Sequence, residues 1–219
     1  MKISNRLLTI ASFIKDNAFV MDVGADHGLL EIYLLDNNKI KSVVAVENKE
    51  GPYSILVKSL EGRDITCLLS DGIKDISPEV DTVVIAGMGG NLIVDILAKD
   101  ISKLRNVKNI IVDAHKDNEL VRRELVKLGY KIEKEKIVYE NKKYYFVISF
   151  VKGTSEYSQN EYEFGYKTDL DPLFENYRQF EINRLSSDLE KTKSAKQLDK
   201  KKIQNLEAKI VRLKNYGNN

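Results

Sequence analysis

The segment AFVMDVGADHGLL, residues 18–30, constrains the fold of this chain more than any other stretch. An apolar run before Gly24 predicts a short strand, Gly24 and Gly28 bracket a tight loop, and Leu29 begins the apolar face of a helix. Such a junction brings backbone N–H groups and the positive end of a helix to one point. It therefore suits a ligand that carries a carboxylate or another anionic group.

The chain continues with the same alternation of apolar strands and amphipathic helices. Five strands alternate with helices, and an alternating pattern then predicts an antiparallel pair of strands joined at Asn141-Lys142. This order predicts an α/β fold with a Rossmann-like, doubly wound and mostly parallel sheet over residues 1–153. The acids Glu47 and Asp71 and the glycines of IAGMGG all follow predicted strands, at the sheet edge where such folds bind ligands.

A first helix precedes the glycine loop. Ser4 is predicted to cap it, and Arg6 lies in its first turn. Arg6 is either a solvated surface residue or a substrate contact.

The C-terminal part of the chain has a different pattern. Residues 154–170 are polar and tyrosine-rich, which indicates a linker or a segment laid over the domain, and Asp171 and Pro172 are predicted to cap and begin a helix. A heptad frame follows at Ile182, Leu185, Leu189, Thr192, Lys196, Asp199, Ile203, Leu206, Ile210 and Leu213. Its ends are apolar and its middle is polar, which favours an antiparallel helical hairpin or coiled coil over residues 171–219. The alternative is one long helix that pairs with another subunit. Because the hairpin is favoured, a monomer is favoured over a dimer.

Charge is concentrated in this C-terminal part. The whole chain of 219 residues carries a formal charge of only +2, but from Arg178 onward eleven Lys or Arg face five Asp or Glu, and Lys200, Lys201 and Lys202 are consecutive. The excess either keeps a coiled coil soluble or faces the phosphates of a nucleic acid.

Composition excludes several classes of protein. One cysteine, Cys67, cannot form an internal disulfide, and the N-terminus lacks the long apolar core of a signal peptide or membrane span. No Cys/His cluster has metal-binding spacing, so neither a metal nor a membrane is expected. The sequence predicts a cytoplasmic protein.

The loop has the spacing acid-x-Gly-x-Asp-x-Gly, with Asp22, Gly24, Asp26 and Gly28. It resembles the acid-x-G-x-G-x-G loop of class I S-adenosylmethionine (SAM) methyltransferases, with Asp26 in place of the middle glycine. That resemblance implies that the loop contacts the methionine part of SAM, that Glu47 binds the ribose and that Asp71 binds the adenine amino group.

Longer motifs narrow the resemblance to one family within the class I methyltransferases. DVGADHGLLEIYL, AVENKEGPYSILVK, LSDGIKDI, VDTVVIAGMGGNLIVDIL and FGYKTDLDPLF closely resemble the bacterial TrmK-type tRNA (adenine-N1)-methyltransferases, over nearly the whole chain. The resemblance implies methylation of N1 of an adenine in the D-loop region of tRNA, with SAM as cofactor. The sequence departs from this family after the fifth strand, where many members have Gln-Pro-Asn and this chain has Asp113-Ala114-His115.

The resemblance, the charge of the chain and the chemistry of the reaction together predict roles for individual residues. The residues expected at SAM are Asp22, Gly24, Asp26, His27, Gly28, Glu47, Asn48, Asp71, Gly72, Gly87 and Met88. Asp26 and the carbonyls of residues 86–88 are expected to stabilise the base as it becomes cationic, and His115 to lie beside it. The residues expected to contact the tRNA are Arg6, Gly89, Gly90, Lys200, Lys201 and Lys202.

Two other functions stay open at this point. One is a class I methyltransferase that acts on a small molecule or a protein. The other is a catalytically dead methyltransferase fold that serves as a binding module. The positive excess after Arg178 favours RNA, and the acids at positions 22, 47 and 71 favour an active enzyme.

Overall fold

The computed structural model describes residues 3–195 and 197–217. These residues form two compact units, and the boundary falls between Glu156 and Tyr157. Among the helices of the described ranges, none combines the length and the apolar character that a membrane span requires.

Seven strands form one sheet in the first unit. In chain order they are β1 (Ala18–Val23), β2 (Ile40–Glu47), β3 (Thr66–Leu69), β4 (Thr82–Met88), β5 (Asn109–Ala114), β6 (Tyr130–Glu140) and β7 (Lys143–Lys152). Their spatial order is β3-β2-β1-β4-β5-β7-β6, with β1 to β5 parallel and β7 antiparallel to both β5 and β6. The predicted Rossmann-like, mostly parallel sheet is confirmed.

Five helices accompany the sheet. They are α1 (Asn5–Phe13), α2 (Leu29–Asp36), α3 (Glu50–Ser59), α4 (Gly90–Lys99) and α5 (Asn118–Lys127), and a 3₁₀ helix at Ile101–Asn106 precedes β5. Apolar residues of α1 and α2 pack with Val20, Val84 and Val147 in one buried cluster. Because successive strand residues point to opposite faces, Val83 and Ile85 face the other side of the sheet.

The edge of the sheet is a tight β-hairpin. Glu140 pairs with Lys143 across the turn, and Asn141 and Lys142 both have positive φ, 49° and 61°. Positive φ at both central residues is typical of a type I′ turn, which matches the twist of the flanking strands. The predicted turn at Asn141-Lys142 is confirmed.

A buried ion pair joins α5 to β6. The side chain of Arg122 is 1% exposed and that of Glu135 is 0% exposed, and Arg122 Nε lies 3.2 Å from both carboxylate oxygens. The guanidinium also lies 5.2 Å from the centre of the Phe146 ring. Both charges have left water, so the pair is tolerated only because each charge neutralises the other.

The second unit contains three helices. They are α6 (Gln159–Phe164), α7 (Phe174–Lys193) and α8 (Lys200–Asn215), with a 3₁₀ turn at Thr168–Leu170 between the first two. Part of the segment predicted as a linker, 154–170, is thus helical: Ser158 and Glu161 form a capping box at the start of α6. Phe164 is fully buried in the same cluster as Leu185 and Leu213, so tertiary packing stabilises a helix too short to show a period.

Helices α7 and α8 double back on each other as predicted. Lys193 pairs with Glu207, and Arg178 reaches the carbonyl of Tyr216, which is the order of contacts in an antiparallel pair. The apolar heptad residues Leu185, Leu189, Ile210 and Leu213 form its buried core. Lys196 of the heptad frame lies outside the described residues.

The predicted start of α7 is wrong by a few residues. The helix begins at Phe174, not at Pro172. The Asp171 carboxylate does accept a backbone hydrogen bond, but from Leu173 at 2.8 Å, which makes a turn before the helix. Asp199 is also not a core heptad residue, because its side chain accepts a hydrogen bond from Lys202 N and caps α8.

Breaking the buried ion pair should destabilise the first unit strongly. Glu135→Gln removes the carboxylate that faces the buried Arg122 charge, and we expect the free energy of unfolding to fall by about 3–5 kcal/mol. Glu124→Gln removes the more exposed Glu124–Lys127 pair and should cost about 0–1 kcal/mol. Urea denaturation of both variants measures the difference, and equal midpoints would contradict this account of the pair.

Candidate active site

A cavity of about 320 Å³ opens at the carboxyl ends of β1 and β4. Its lining residues are Arg6, Leu7, Asp22, Gly24, Ala25, Asp26, His27, Leu29, Leu30, Ala86, Gly87 and His115. β1 leads through α2 to β2 on one side, whereas β4 and β5 lie on the other, so the strand order reverses at this point. Open α/β sheets bind ligands at such a switch point.

The loop after β1 has the backbone geometry that its glycines predict. Gly24 and Gly28 have φ of 79° and 67°, and a Cβ at Gly24 would lie 2.3 Å from the Met88 side chain. Asp26 also has positive φ, 53°. That conformation is strained for a residue with a side chain, and strain of this kind is found at functional sites. It leaves the Asp26 carboxylate 82% exposed beside the cavity.

Glu47 fixes this loop from β2. Its Oε1 accepts a hydrogen bond of 2.8 Å from the backbone N–H of Asp26. The other end of the loop is held by Ser59, whose hydroxyl donates to the His27 carbonyl at 2.8 Å. Glu47 is therefore part of the loop's support and lies beside it, as predicted for an acid at the end of the second strand.

A buried pair of carboxyl groups lies under the loop. Asp22 is 5% exposed and Glu31, in the first turn of α2, is 0% exposed. Burial, followed by the charge of Glu47, raises the pKa of Asp22 to about 7, although a hydrogen bond with Glu31 opposes the rise. Burial and the neighbouring Asp22 raise the pKa of Glu31 well above its usual range. Within the described residues no hydrogen bond to either Glu31 oxygen offsets its burial, so the raised pKa values favour the protonated form of these carboxyls.

Asp71 lies on the surface after β3. Its Oδ2 is 2.7 Å from Lys99 Nζ, and the hydrogen bond and charge of this lysine lower the pKa of Asp71. Gly72 follows with φ of 63°, and a Cβ there would lie 2.8 Å from Ile96. Asp71 is thus ionised and exposed at the strand end where the sequence predicts the adenine-binding acid.

The glycines after β4 have different surroundings. Gly87 has φ of 77°, and a Cβ there would lie 3.8 Å from His115 Nε2 and 4.0 Å from Arg6 Nη2, so its absence keeps this side of the cavity open. Gly90 is buried, and a Cβ there would lie 2.7 Å from the carbonyl oxygen of Asp117. Close packing against the loop after β5 is therefore sufficient to explain a glycine at position 90, and no substrate contact is needed for it.

Arg6 and His115 meet at the mouth of the cavity. Arg6 Nη1 lies 3.2 Å from His115 Nε2, and Arg6 Nε lies 3.0 Å from Asp113 Oδ2. Partial burial, followed by the charges of Arg6 and Lys143, lowers the pKa of His115. His115 is therefore neutral at pH 7, and its Nε2 can accept a hydrogen bond from Arg6.

The structure brings seven of the eighteen predicted site residues to one cavity. Arg6, Asp22, Gly24, Asp26, His27, Gly87 and His115 line it. The other predicted residues of the first unit, Gly28, Glu47, Asn48, Asp71, Gly72, Met88, Gly89 and Gly90, lie outside that lining, at or beside the carboxyl ends of their strands. In the second unit, Lys200, Lys201 and Lys202 form the exposed first turn of α8.

Sequence reasoning missed Glu31 and did not assign a role to Asp113. Glu31 interrupts an otherwise apolar helix start, and that interruption was the signal for a buried acid. Asp113 was visible only as a departure from the family pattern. Among the described residues, no group of three or more His, Cys, Asp or Glu has the arrangement of a metal site.

The buried carboxyl pair should make stability depend on pH. Because the folded pKa values of Asp22 and Glu31 are raised, the folded chain binds more protons than the unfolded chain, and stability falls as pH rises from about 4 toward 7 and beyond. Glu31→Gln should reduce the loss of unfolding free energy between pH 5 and pH 8 by about 1.4 kcal/mol for each pKa unit removed. Urea denaturation at both pH values measures this, with the exposed Glu61→Gln as control. An unchanged pH dependence in Glu31→Gln would refute the raised pKa of Glu31.

Comparison with known proteins agrees with this geometry. A family model described as "Methyltransferase domain" matches residues 3–148. The tRNA (adenine(22)-N(1))-methyltransferase of Bacillus subtilis is 33% identical over 153 residues, which cover 68% of this chain and 64% of that protein. The match thus spans less than two thirds of the length of this curated relative.

Solved structures are similar over almost the whole chain. Sp1610 of Streptococcus pneumoniae, in complex with S-adenosyl-L-methionine, has a TM-score of 0.87 at 32% identity and covers 97% of this chain and 98% of its own. TrmK of M. capricolum, in complex with S-adenosyl-homocysteine, has a TM-score of 0.85 at 27% identity and covers 100% and 99%. From the sheet order, the glycine loop and these matches together, the chain belongs to the methyltransferase-domain family, in the group of TrmK-type tRNA (adenine-N1)-methyltransferases.

Proposed function

We propose that this protein transfers a methyl group from SAM to N1 of an adenine in the D-loop region of tRNA. The observation that carries the proposal is the cavity at the switch point, where the Gly24–Gly28 loop and Asp22 meet Arg6, Gly87 and His115. The family relatives named for tRNA adenine-N1 methylation supply the substrate class.

The residues around the cavity fit SAM. SAM carries an ammonium and a sulfonium cation, and the acids Asp22 and Asp26 line the cavity. The volume of about 320 Å³ lies within the range of small-molecule pockets. One Glu47 oxygen is bonded to Asp26 N–H, which leaves its second oxygen for a ribose hydroxyl. Asp71 is proposed to accept from the adenine amino group. The remaining residues proposed at SAM are His27, Asn48, Gly72 and Met88.

The chemistry requires alignment more than covalent catalysis. SAM supplies an activated methyl group, and adenine N1 supplies a lone pair, so the protein's task is to orient the two. N1 lies on the Watson–Crick edge, and the target base must therefore be unpaired before it enters. Gly87 keeps one wall open, and Asp26 and the carbonyls of residues 86–88 are proposed to stabilise the base as it gains positive charge. Neutral His115 is proposed to contact the base without adding a cation.

The second unit is proposed to bind tRNA. Lys200, Lys201 and Lys202 occupy the first turn of α8, where the helix dipole is already positive, so they do not stabilise the helix end. A cluster of this kind attracts phosphates. The apolar heptad residues of α7 and α8 pack against each other, which supports a monomer. A tRNA substrate supports a cytoplasmic location.

A methylation assay tests this function. The protein is incubated with labelled SAM and with tRNA made by transcription, which carries no modifications, and the labelled nucleoside is identified and mapped. 1-Methyladenosine in the D-loop region is the expected product. Labelling of a small molecule or protein in a cell extract in place of tRNA, or SAM binding without any transfer, would replace the proposal by one of the two alternatives.

Loss of the Glu47 carboxylate should weaken SAM binding. Glu47→Ala removes a charged acceptor for the ribose and the partner of Asp26 N–H, and we expect a loss of about 2 kcal/mol in SAM binding. Isothermal titration calorimetry measures it. Glu79→Ala, on the exposed loop before β4 at the opposite edge of the sheet, is the control and should bind as wild type. Unchanged SAM affinity in folded Glu47→Ala would remove Glu47 from the site.

The lysines of α8 should contribute to tRNA affinity and its salt dependence. Changing Lys200, Lys201 and Lys202 to Gln should weaken tRNA binding, with SAM affinity unchanged. The slope of log K against log salt should flatten by up to about 0.9 for each phosphate that the variant no longer neutralises. The control changes Lys41, Lys108 and Lys131, near the amino ends of β2, β5 and β6, to Gln. If both triple variants show the same affinity and slope, α8 does not contact the tRNA.

A further inference from the structure

The first turn of α1 is attached to the end of the β6–β7 hairpin. The backbone N–H of Asn5 donates to Glu140 Oε1 at 3.0 Å, and Ser4 caps the helix by accepting from Leu7 N at 3.2 Å. Glu140 is the last residue of β6. These two hydrogen bonds fix the backbone on both sides of Arg6 at the carboxyl edge of the sheet.

The Arg6 side chain is fixed as well. Its Nε faces Asp113, its Nη1 faces His115, and its guanidinium carbon lies 4.8 Å from the centre of the Tyr145 ring. His115 in turn packs against Tyr145 in a T-shaped arrangement with ring centres 5.8 Å apart. One edge and one face of the guanidinium are thus occupied, and its Nη2 is directed toward Gly87 at the cavity wall.

The hydrogen bonds of the described residues do not require an acid at position 113. The side chain of Asp113 is 0% exposed near the carboxyl end of the interior strand β5. Neither of its oxygens accepts an aligned hydrogen bond within the described ranges, and Arg6 Nε approaches at 3.0 Å without that alignment. A buried carboxylate that caps no backbone group is costly, and the cation that lies beside it is Arg6. This energetic cost is explained if the Asp113 carboxylate holds Arg6 in place and neutralises its charge.

Methyl transfer to adenine N1 explains why a carboxylate beside Arg6 is useful. The ring becomes cationic, so a guanidinium beside it opposes the reaction unless a negative charge neutralises it. An arginine paired with a buried carboxylate still offers its N–H groups to a substrate acceptor, but it does so without net charge.

We propose that Asp113 and Tyr145 are positioning residues that hold Arg6 against the target nucleotide, and that Asp113 neutralises the guanidinium while the base becomes cationic. The proposal rests on the proposed function, since it concerns the same substrate and the same cavity. It assigns Arg6 to substrate contact and gives the Asp113-Ala114-His115 segment a role at the target base.

A double-mutant cycle tests whether Asp113 acts through Arg6. Asp113→Asn should lower kcat for tRNA about 10-fold to 100-fold, with the affinity for SAM unchanged. In an Arg6→Ala background the same change should have almost no further effect, because its target is gone. Asp36→Asn, which removes the remote Asp36–Arg63 ion pair, should leave kcat as in wild type. Additive losses in the double variant would overturn the proposal.

The pH profile gives a second readout. Burial raises the pKa of Asp113 to about 6, although the charge of Arg6 lowers it, and the charge of Glu140 adds to the rise. The other titratable groups at this site are His115, Lys143 and Tyr145. With SAM saturating, so that protonation of Asp22 does not limit binding, kcat of the wild type should fall as pH decreases through about 6, where Asp113 becomes neutral. In Asp113→Asn this fall should be absent. A fall that persists in the variant contradicts the assignment.

Two further variants separate positioning from folding. Tyr145→Phe retains the ring under Arg6 and should keep wild-type kcat, whereas Tyr145→Leu should lower it about 10-fold. In the protein without ligand, ¹³C NMR of the Asp113 carboxyl should show a pKa that rises in Arg6→Ala, because the cation that lowers it is removed. If Asp113→Asn does not fold, the comparison of Tyr145→Phe with Tyr145→Leu and the NMR titration of Asp113 still test the proposal. An Asp113 pKa that stays the same in Arg6→Ala overturns the proposal, whereas a wild-type protein that methylates no tRNA refutes the proposed function instead.

Discussion

Strand β1 hydrogen-bonds to a parallel neighbour on each side, β2 from Ala18 to Val23 and β4 from Val20 to Val23. This double pairing is the constraint on which the site depends. Because all three strands point the same way, the loops that follow them meet at one edge of the sheet. The reversal of strand order at β1 separates the two sets of crossover helices there and leaves the cavity between them. The acids, the glycines and Arg6 can act together only because this register is fixed.

Three buried charge arrangements in the first unit differ in how well they are satisfied. Arg122 and Glu135 are both fully buried and hydrogen-bonded through two guanidinium nitrogens, and neither lines the cavity. Among the described residues, neither oxygen of Glu31, which lies beside Asp22, has a hydrogen-bond partner, and Asp113 faces Arg6 without an aligned hydrogen bond. A fully satisfied pair contributes to the fold alone. The two unsatisfied arrangements lie at the cavity, where a cationic ligand or a base that becomes cationic can complete them.

The sequence was sufficient for the parts of the fold that repeat a local pattern. The apolar runs predicted the strands, Gly24 and Gly28 predicted the tight loop in which both have positive φ, and Asn141-Lys142 predicted the hairpin turn. Each of these depends on a few neighbouring residues. The polar middle of the heptad frame likewise predicted that α7 and α8 double back, because a single helix would leave two apolar stripes exposed.

The remaining features depend on contacts between distant segments. β7 pairs antiparallel with β5, with Asp113 opposite Val147, and this register places Tyr145 next to His115. No local pattern in the chain specifies which residue of β7 lies there. The same holds for α6, because this short helix needs the buried position of Phe164. Sequence patterns thus located the site at the sheet edge, but the network around Arg6 follows from which strands become neighbours.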